Sequence, residues 1–180
     1  MDNFDPDKLF NKDIIKRNLL LASLYITGYE ILKHSIIEDV KTFFSVGYDP
    51  NKGNILSPQY QTEVLSLDSK SVFRASCLWL AEMEAITDDD IEQIDIIRKH
   101  RNKIAHELPL ILTDKNYDID ISLLRKMKYY IRTINSFWGK VELSINPDID
   151  LNDVDFLEIR SGRDILFEHL INIVENEISK

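Results

Sequence analysis

The chain has 180 residues, a hydrophobic fraction of 44% and a formal net charge of −9; this is enough apolar content for one compact domain spanning 1–180 and too much for a disordered chain. The acidic balance argues against a broad polyphosphate-binding surface, though not against a local one. Cys77 is the only cysteine, which excludes an intrachain disulfide and a cysteine-based zinc site; in the apolar run Cys77-Leu78-Trp79-Leu80 it reads as a small core residue.

The opening Met1-Asp2-Asn3-Phe4-Asp5 is acidic and lacks the basic-then-apolar order of a secretory signal. The apolar stretch Leu19 to Ile26 is broken by Ser23 and falls short of the ~20 residues a membrane span needs. A cytoplasmic protein with no membrane partner is the expectation.

A first helix is predicted from about Asn11 to Ser45. Positions 15, 19, 22, 26, 29, 33, 37, 40 and 44 share one side and are apolar except for Lys33. Gly47, Asp49-Pro50 and Gly53 end it, and residues 47–69 read as a long loop. A second helix is expected from about Lys70 to Ile86. Thr87 then reads as an N-cap with Asp90 at capping-box spacing, and Asp88, Asp89 and Asp90 suit the positive end of a helix dipole. This third helix should run to His106 or Leu108, with Pro109 marking its end. A fourth helix is expected from about Ser122 to Leu143, stopped by Asn146-Pro147. After an acidic stretch (Asp148, Asp150, Asp153, Asp155, Glu158), Ser161-x-x-Asp164 should cap a last helix over about 161–179. No run alternates with period two long enough to require a strand. The expected fold class is all-α, an antiparallel bundle of about five helices with its core in roughly 10–145.

The third helix carries the chemistry. At 100° per residue, Ile94, Ile97, Arg101, Ile104, Ala105 and Leu108 fall within about 100° of one another. Arg101 therefore lies in an apolar stripe, where a guanidinium needs a partner. That partner is an internal carboxylate or an anion such as phosphate docked in a cleft; a third solution is snorkelling to the surface. Arg98, Asn102 and His106 follow at i, i+4 and i+8 and form a polar row beside the stripe. Imidazole can exchange a proton at neutral pH, and Asn102 can fix a tautomer or hold a substrate oxygen. Attack of an RNA 2′-OH on its neighbouring phosphate needs a base, an acid and a cation, and no metal. Arg98, Lys99, Arg101 and Lys103 form one basic run, with Arg98 and Lys103 as candidate substrate-binding residues; Arg125, Lys126, Lys128 and Arg132 form another.

Arg101-Asn102-x-x-x-His106 resembles the R-[polar]-x(3)-H motif of HEPN domains (higher eukaryotes and prokaryotes nucleotide-binding). These are compact helical bundles with the motif on a late core helix. The resemblance spans roughly residues 10 to 145. It implies a metal-independent endoribonuclease of toxin–antitoxin, phage-defence or RNA-processing type, acting on RNA. It also implies a homodimer in which two motif helices build one composite site, and an antitoxin protein as a possible partner. Carried over, Arg101 binds the scissile phosphate, His106 is the acid-base residue and Asn102 orients one or both. Some members add an acid from an earlier helix; Glu30, the only acid between Asp13 and Glu38, is the candidate, and it could pair with Arg101. Other HEPN-like domains are non-catalytic and bind a protein partner or nucleotide, which is the alternative reading. A purely structural bundle with Arg101 ion-paired internally is the third.

No phosphate-binding glycine loop, G-x-S-x-G or H-E-x-x-H is present. His34, His100, His106 and His169 are too scattered to suggest a metal site, so neither metal nor cofactor is expected. Trp79 and Trp138 read as core anchors.

Overall fold

A computed structural model describes residues 3–151, 154–156 and 158–178. Among these the chain forms six α-helices: α1 (Pro6–Phe10), α2 (Lys12–Phe43), α3 (Val72–Glu82), α4 (Asp88–Thr113), α5 (Ile121–Ser144) and α6 (Gly162–Ile178). A short hairpin, β1 (Ser45–Asp49) with β2 (Gly53–Leu56), and a π-helical turn (Tyr60–Leu65) lie between α2 and α3. The fold is all-helical and bundle-like, as expected. No described helix is long and apolar enough to cross a membrane.

The caps explain where the helices begin. Asn11 Oδ1 accepts from the Asp13 and Ile14 amides at the start of α2. The Thr87–Asp90 capping box closes in both directions at α4. The Asp164 amide donates to Ser161 Oγ at α6, so two acceptor side chains read from sequence do what their spacing required. α3 stops earlier than expected. Glu84 takes φ +58°, the Ala85 amide reaches back to Leu80 O and the Glu84 amide to Ala81 O, which is a Schellman ending made without glycine.

α2 is the central element and packs against α3, α4, α5 and α6. Its buried side chains are Leu21, Ala22, Leu24, Tyr25, Tyr29, Leu32, Ser35, Ile36 and Val40. The expected stripe is borne out only in part: Ala22, Tyr29, Val40 and Phe44 are buried, but Leu19 is exposed and Ile15, Ile26 and Ile37 are only half-buried. A helix with neighbours on several sides is not confined to one stripe, so a single-face reading captures only part of its buried surface. Gly28 allows the closest approach, since a Cβ there would stand 2.4 Å from the Phe167 ring of α6. Ile94, Ile97 and Ile104 of α4, Met127, Ile131 and Ile134 of α5 and Leu80 of α3 complete the core. Cys77 is buried, and burial pushes its thiol up to about 12, as befits a core residue. Trp79 is buried, while Trp138 stacks on it at 6.1 Å and is half-buried beside a surface cleft.

Three further expectations are corrected. The loop over 47–69 holds a hairpin, because Asp49 Oδ1 accepts from the Asn51 and Lys52 amides and Gly53 adopts φ +79°, geometry that reverses the chain. Its strands are short and largely exposed, so no inside–outside alternation marks them. Pro109 does not end its helix. The kink falls at Glu107 (φ −119°, ψ 23°), and helix resumes to Thr113, with Pro109 sitting in the first turn of the new segment, where its missing N–H costs nothing. Ala105, placed on the apolar stripe from sequence, is exposed. Asp153 and the end of the last helix beyond 178 lie outside the described residues.

Candidate functional site

α4 lies along α2 with Ile94, Ile97, Ile104 and Ile111 buried. Arg101 sits at the border of that stripe. Its aliphatic stem runs inward, and its guanidinium lies 5.3 Å from the centroid of the Tyr29 ring. Nη2 donates to Glu30 Oε1 at 2.5 Å and Nη1 to Asn102 Oδ1 at 3.3 Å. Nε is buried without a partner. Tyr29 and Glu30 come from one turn of α2, so two adjacent residues supply a flat surface and a carboxylate for one arginine. Lys33 Nζ stands 3.5 Å from the other Glu30 oxygen.

The structure thus brings Arg101, Asn102 and Glu30 together. His106 is exposed, five residues on and therefore about 140° around the helix from Arg101. It lies just before the kink at Glu107. Arg98 is held by Asp95, whose Oδ1 accepts from both Nε (2.9 Å) and Nη2 (2.7 Å). Lys99 takes Asp95 Oδ2 at 2.8 Å. Lys103 turns to the other side, with Nζ 4.2 Å from the Tyr117 ring centroid. The basic run is therefore divided among separate partners. The second run is likewise spread out: Lys126 donates to Gln93 and Lys128 to Glu168.

The electrostatics follow the burial. Burial raises the Tyr29 hydroxyl, against the opposing pull of Arg98 and Arg101, so Tyr29 stays a neutral platform. Burial also pushes Asp95 up, but hydrogen bonds from Lys99 and Arg98 outweigh it and hold its carboxyl below the ordinary value. His100 belongs to the scaffold. Its Nε2 accepts from the Asp120 amide at 3.0 Å, at the N-cap of α5, and its ring meets Tyr25 edge-on.

A cleft of about 400 Å³ opens beside Tyr29, lined by Phe73, Arg74, Asp95 and Arg98 among others. Sequence reasoning missed it. Tyr29 and Phe73 read as ordinary apolar positions, and only tertiary packing sets them beside the polar row of α4. No group of three or more His, Cys, Asp and Glu side chains among the described residues is arranged to hold a metal ion.

The chain matches no known protein family, no curated protein and no solved structure. Its side chains themselves are what bears on function. Chemically they supply a cation at a solvent border, an amide beside it, a displaceable carboxylate and an accessible imidazole one turn further on.

Proposed function

We propose that this protein is a HEPN-type, metal-independent endoribonuclease that cleaves single-stranded RNA at a composite site formed by two copies of the chain, as the toxin or effector of a defence system. The observation that carries the reading is the position of Arg101. It sits at the edge of the α2–α4 contact, held by Glu30 and Asn102, with its side chain still 27% exposed. A scissile phosphate can take the place of Glu30 on that guanidinium, with the bidentate geometry arginine offers.

In one chain His106 lies about 140° around the helix from Arg101, so the reading requires a second copy. A two-fold interface repeats the same patch on both subunits, so the imidazole of one copy can serve the phosphate held by the other. The 2′-OH then gives its proton to one imidazole and attacks phosphorus. The P–O5′ bond breaks, the second imidazole protonates the leaving O5′, and the products are a 2′,3′-cyclic phosphate and a 5′-OH. Arg101 balances the charge that develops on the phosphoryl oxygens.

The test is cleavage of single-stranded RNA in EDTA by the wild type, His106→Ala and Arg101→Ala, with sedimentation at micromolar concentration. Chelator-resistant cleavage with 2′,3′-cyclic ends, lost in both variants, supports the reading. A strictly monomeric chain that still cleaves removes the composite site. The second reading is a non-catalytic helical module that binds a nucleotide or a protein such as an antitoxin. The ion pair of Arg101 with Glu30 within a single chain favours it, and RNA binding without cleavage would establish it.

A further inference from the structure

We propose that the cleft between α2, α3 and α4 is a nucleobase subsite, in which the base flanking the phosphate on Arg101 stacks against Phe73 and donates an N–H to Asp95. The inference rests on the RNA reading above and extends it to the choice of base.

The placement is the first argument. Tyr29 is shared: its ring underlies the Arg101 guanidinium at 5.3 Å and also forms a wall of the cleft, with the Phe73 ring centroid 6.3 Å away and tilted 46°. A phosphate on Arg101 and a base against Phe73 would then share Tyr29 as a neighbour. The lining is the second argument. An aromatic wall and a rim of Arg74 and Arg98 are the two things a single-stranded nucleic acid needs, a face for the base and cations for the backbone. Arg74 is held only loosely, with Nε 3.6 Å from Asp68 and its side chain 64% exposed, so it is available to a backbone phosphate.

Asp95 supplies an acceptor for the base edge. A carboxylate offers about four acceptor positions. Arg98 takes both on Oδ1 and Lys99 takes one on Oδ2. The remaining Oδ2 lone pair, in a partly buried side chain, accepts from a base N–H, whether an exocyclic amino group or a ring N–H such as N3–H of uracil. Preference among bases comes instead from the stacked area against Phe73, which is larger for a purine than for uracil. The subsite therefore takes adenine in preference to uracil.

The experiment separates this subsite from the nuclease reading by measuring binding without cleavage. The probes are fluorescein-labelled 2′-O-methyl hexanucleotides, which lack the attacking hydroxyl, as oligo-A and oligo-U. They are titrated against the full chain by anisotropy at fixed, low salt. The expected result is tighter binding of oligo-A and a loss of at least about fivefold for Phe73→Ala. Phe73→Leu keeps the apolar volume that α3 packs and should lose stacking in the same way, so a fold defect in the alanine variant does not decide the outcome. Equal affinity of wild type and Phe73→Leu, or no preference between the two oligomers, overturns the subsite. If ribo-oligomers remain uncut while the uncleavable probes bind in a Phe73-dependent way, the nuclease reading falls and the subsite stands. If they are cut with no dependence on Phe73, the reverse holds.

Discussion

Arg101 on α4 and Glu30 on α2 meet at 2.5 Å across the helix contact, over the ring of the residue beside Glu30, Tyr29. Both side chains are partly exposed, 27% and 44%, so solvent screens the pair and its coupling should be small, about 0.2–1 kcal/mol. A double-mutant cycle with Arg101→Ala and Glu30→Gln, read by denaturant midpoints, checks this. A coupling of several kcal/mol would make the pair a structural fastening and leave no role for a phosphate.

Under the nuclease reading, Glu30→Gln also has a kinetic consequence. It keeps the shape of the side chain but removes the charge that competes with phosphate for Arg101. Substrate affinity should rise modestly, seen as a lower KM for RNA. A fall in kcat with KM unchanged would instead assign Glu30 a part in the chemistry.

His106→Ala should leave the melting temperature within about 2 °C of wild type, because the imidazole is exposed and outside the core. Under the nuclease reading it lowers cleavage by about 10²–10⁴-fold. Calorimetry and single-turnover cleavage on the same preparation provide both numbers.

Gly28→Ala tests the closest packing in the molecule. The new methyl group would lie 2.4 Å and 2.5 Å from two Phe167 ring carbons, and Phe167 is completely buried. Alanine is the better helix former by about 1 kcal/mol, yet overpacking of about 1–3 kcal/mol should win. Chemical denaturation should show a net loss, and Phe167→Leu in the same chain should recover part of it.

The pH dependence has a defined sign at His100. Burial lowers its pKa, Asp120 opposes that, and Lys103 adds to the lowering. The folded value therefore lies below the unfolded one, near 6.5. Stability from this group is complete above the unfolded value and is lost as pH falls from there toward the folded one. Protonation also removes the acceptor that Nε2 offers the Asp120 amide. Stability measured downward from about pH 7.5 should decline, and His100→Gln should flatten that decline.

How much of this was legible follows from the range of the forces involved. Caps are local, so Thr87 with Asp90 and Ser161 with Asp164 announced their helices correctly. The run Asn146-Pro147 likewise follows closely on the end of α5 at Ser144. The Arg101–Glu30 pair was legible as a possibility, because Glu30 was the one acid available on its stretch of α2. The full buried surface of α2 was not, since it depends on how many helices surround it. Nor was the kink: Pro109 signals a broken hydrogen bond, but only tertiary contacts decide whether helix resumes beyond it. Arg98 and Lys103 looked like one basic edge with Arg101; their partners Asp95 and Tyr117 separate them. Phe73 carried no signal, because an aromatic at a cleft and one in the core look alike in sequence.

The far end of α4 is fastened to the start of the chain. The Asp5 amide donates to Thr113 O, the Lys115 amide to Asn3 O, and Lys8 Nζ to the carbonyls of Asp114 and Tyr117. Beyond Glu107 the segment cannot rely on an unbroken helical ladder for its direction, and this brace supplies it. α1 therefore acts as a splint for the joint next to His106. Shortening the chain by its first eight residues would loosen that joint, raise amide exchange along 107–114 and leave the amides of 94–104 protected, without touching any residue of the motif.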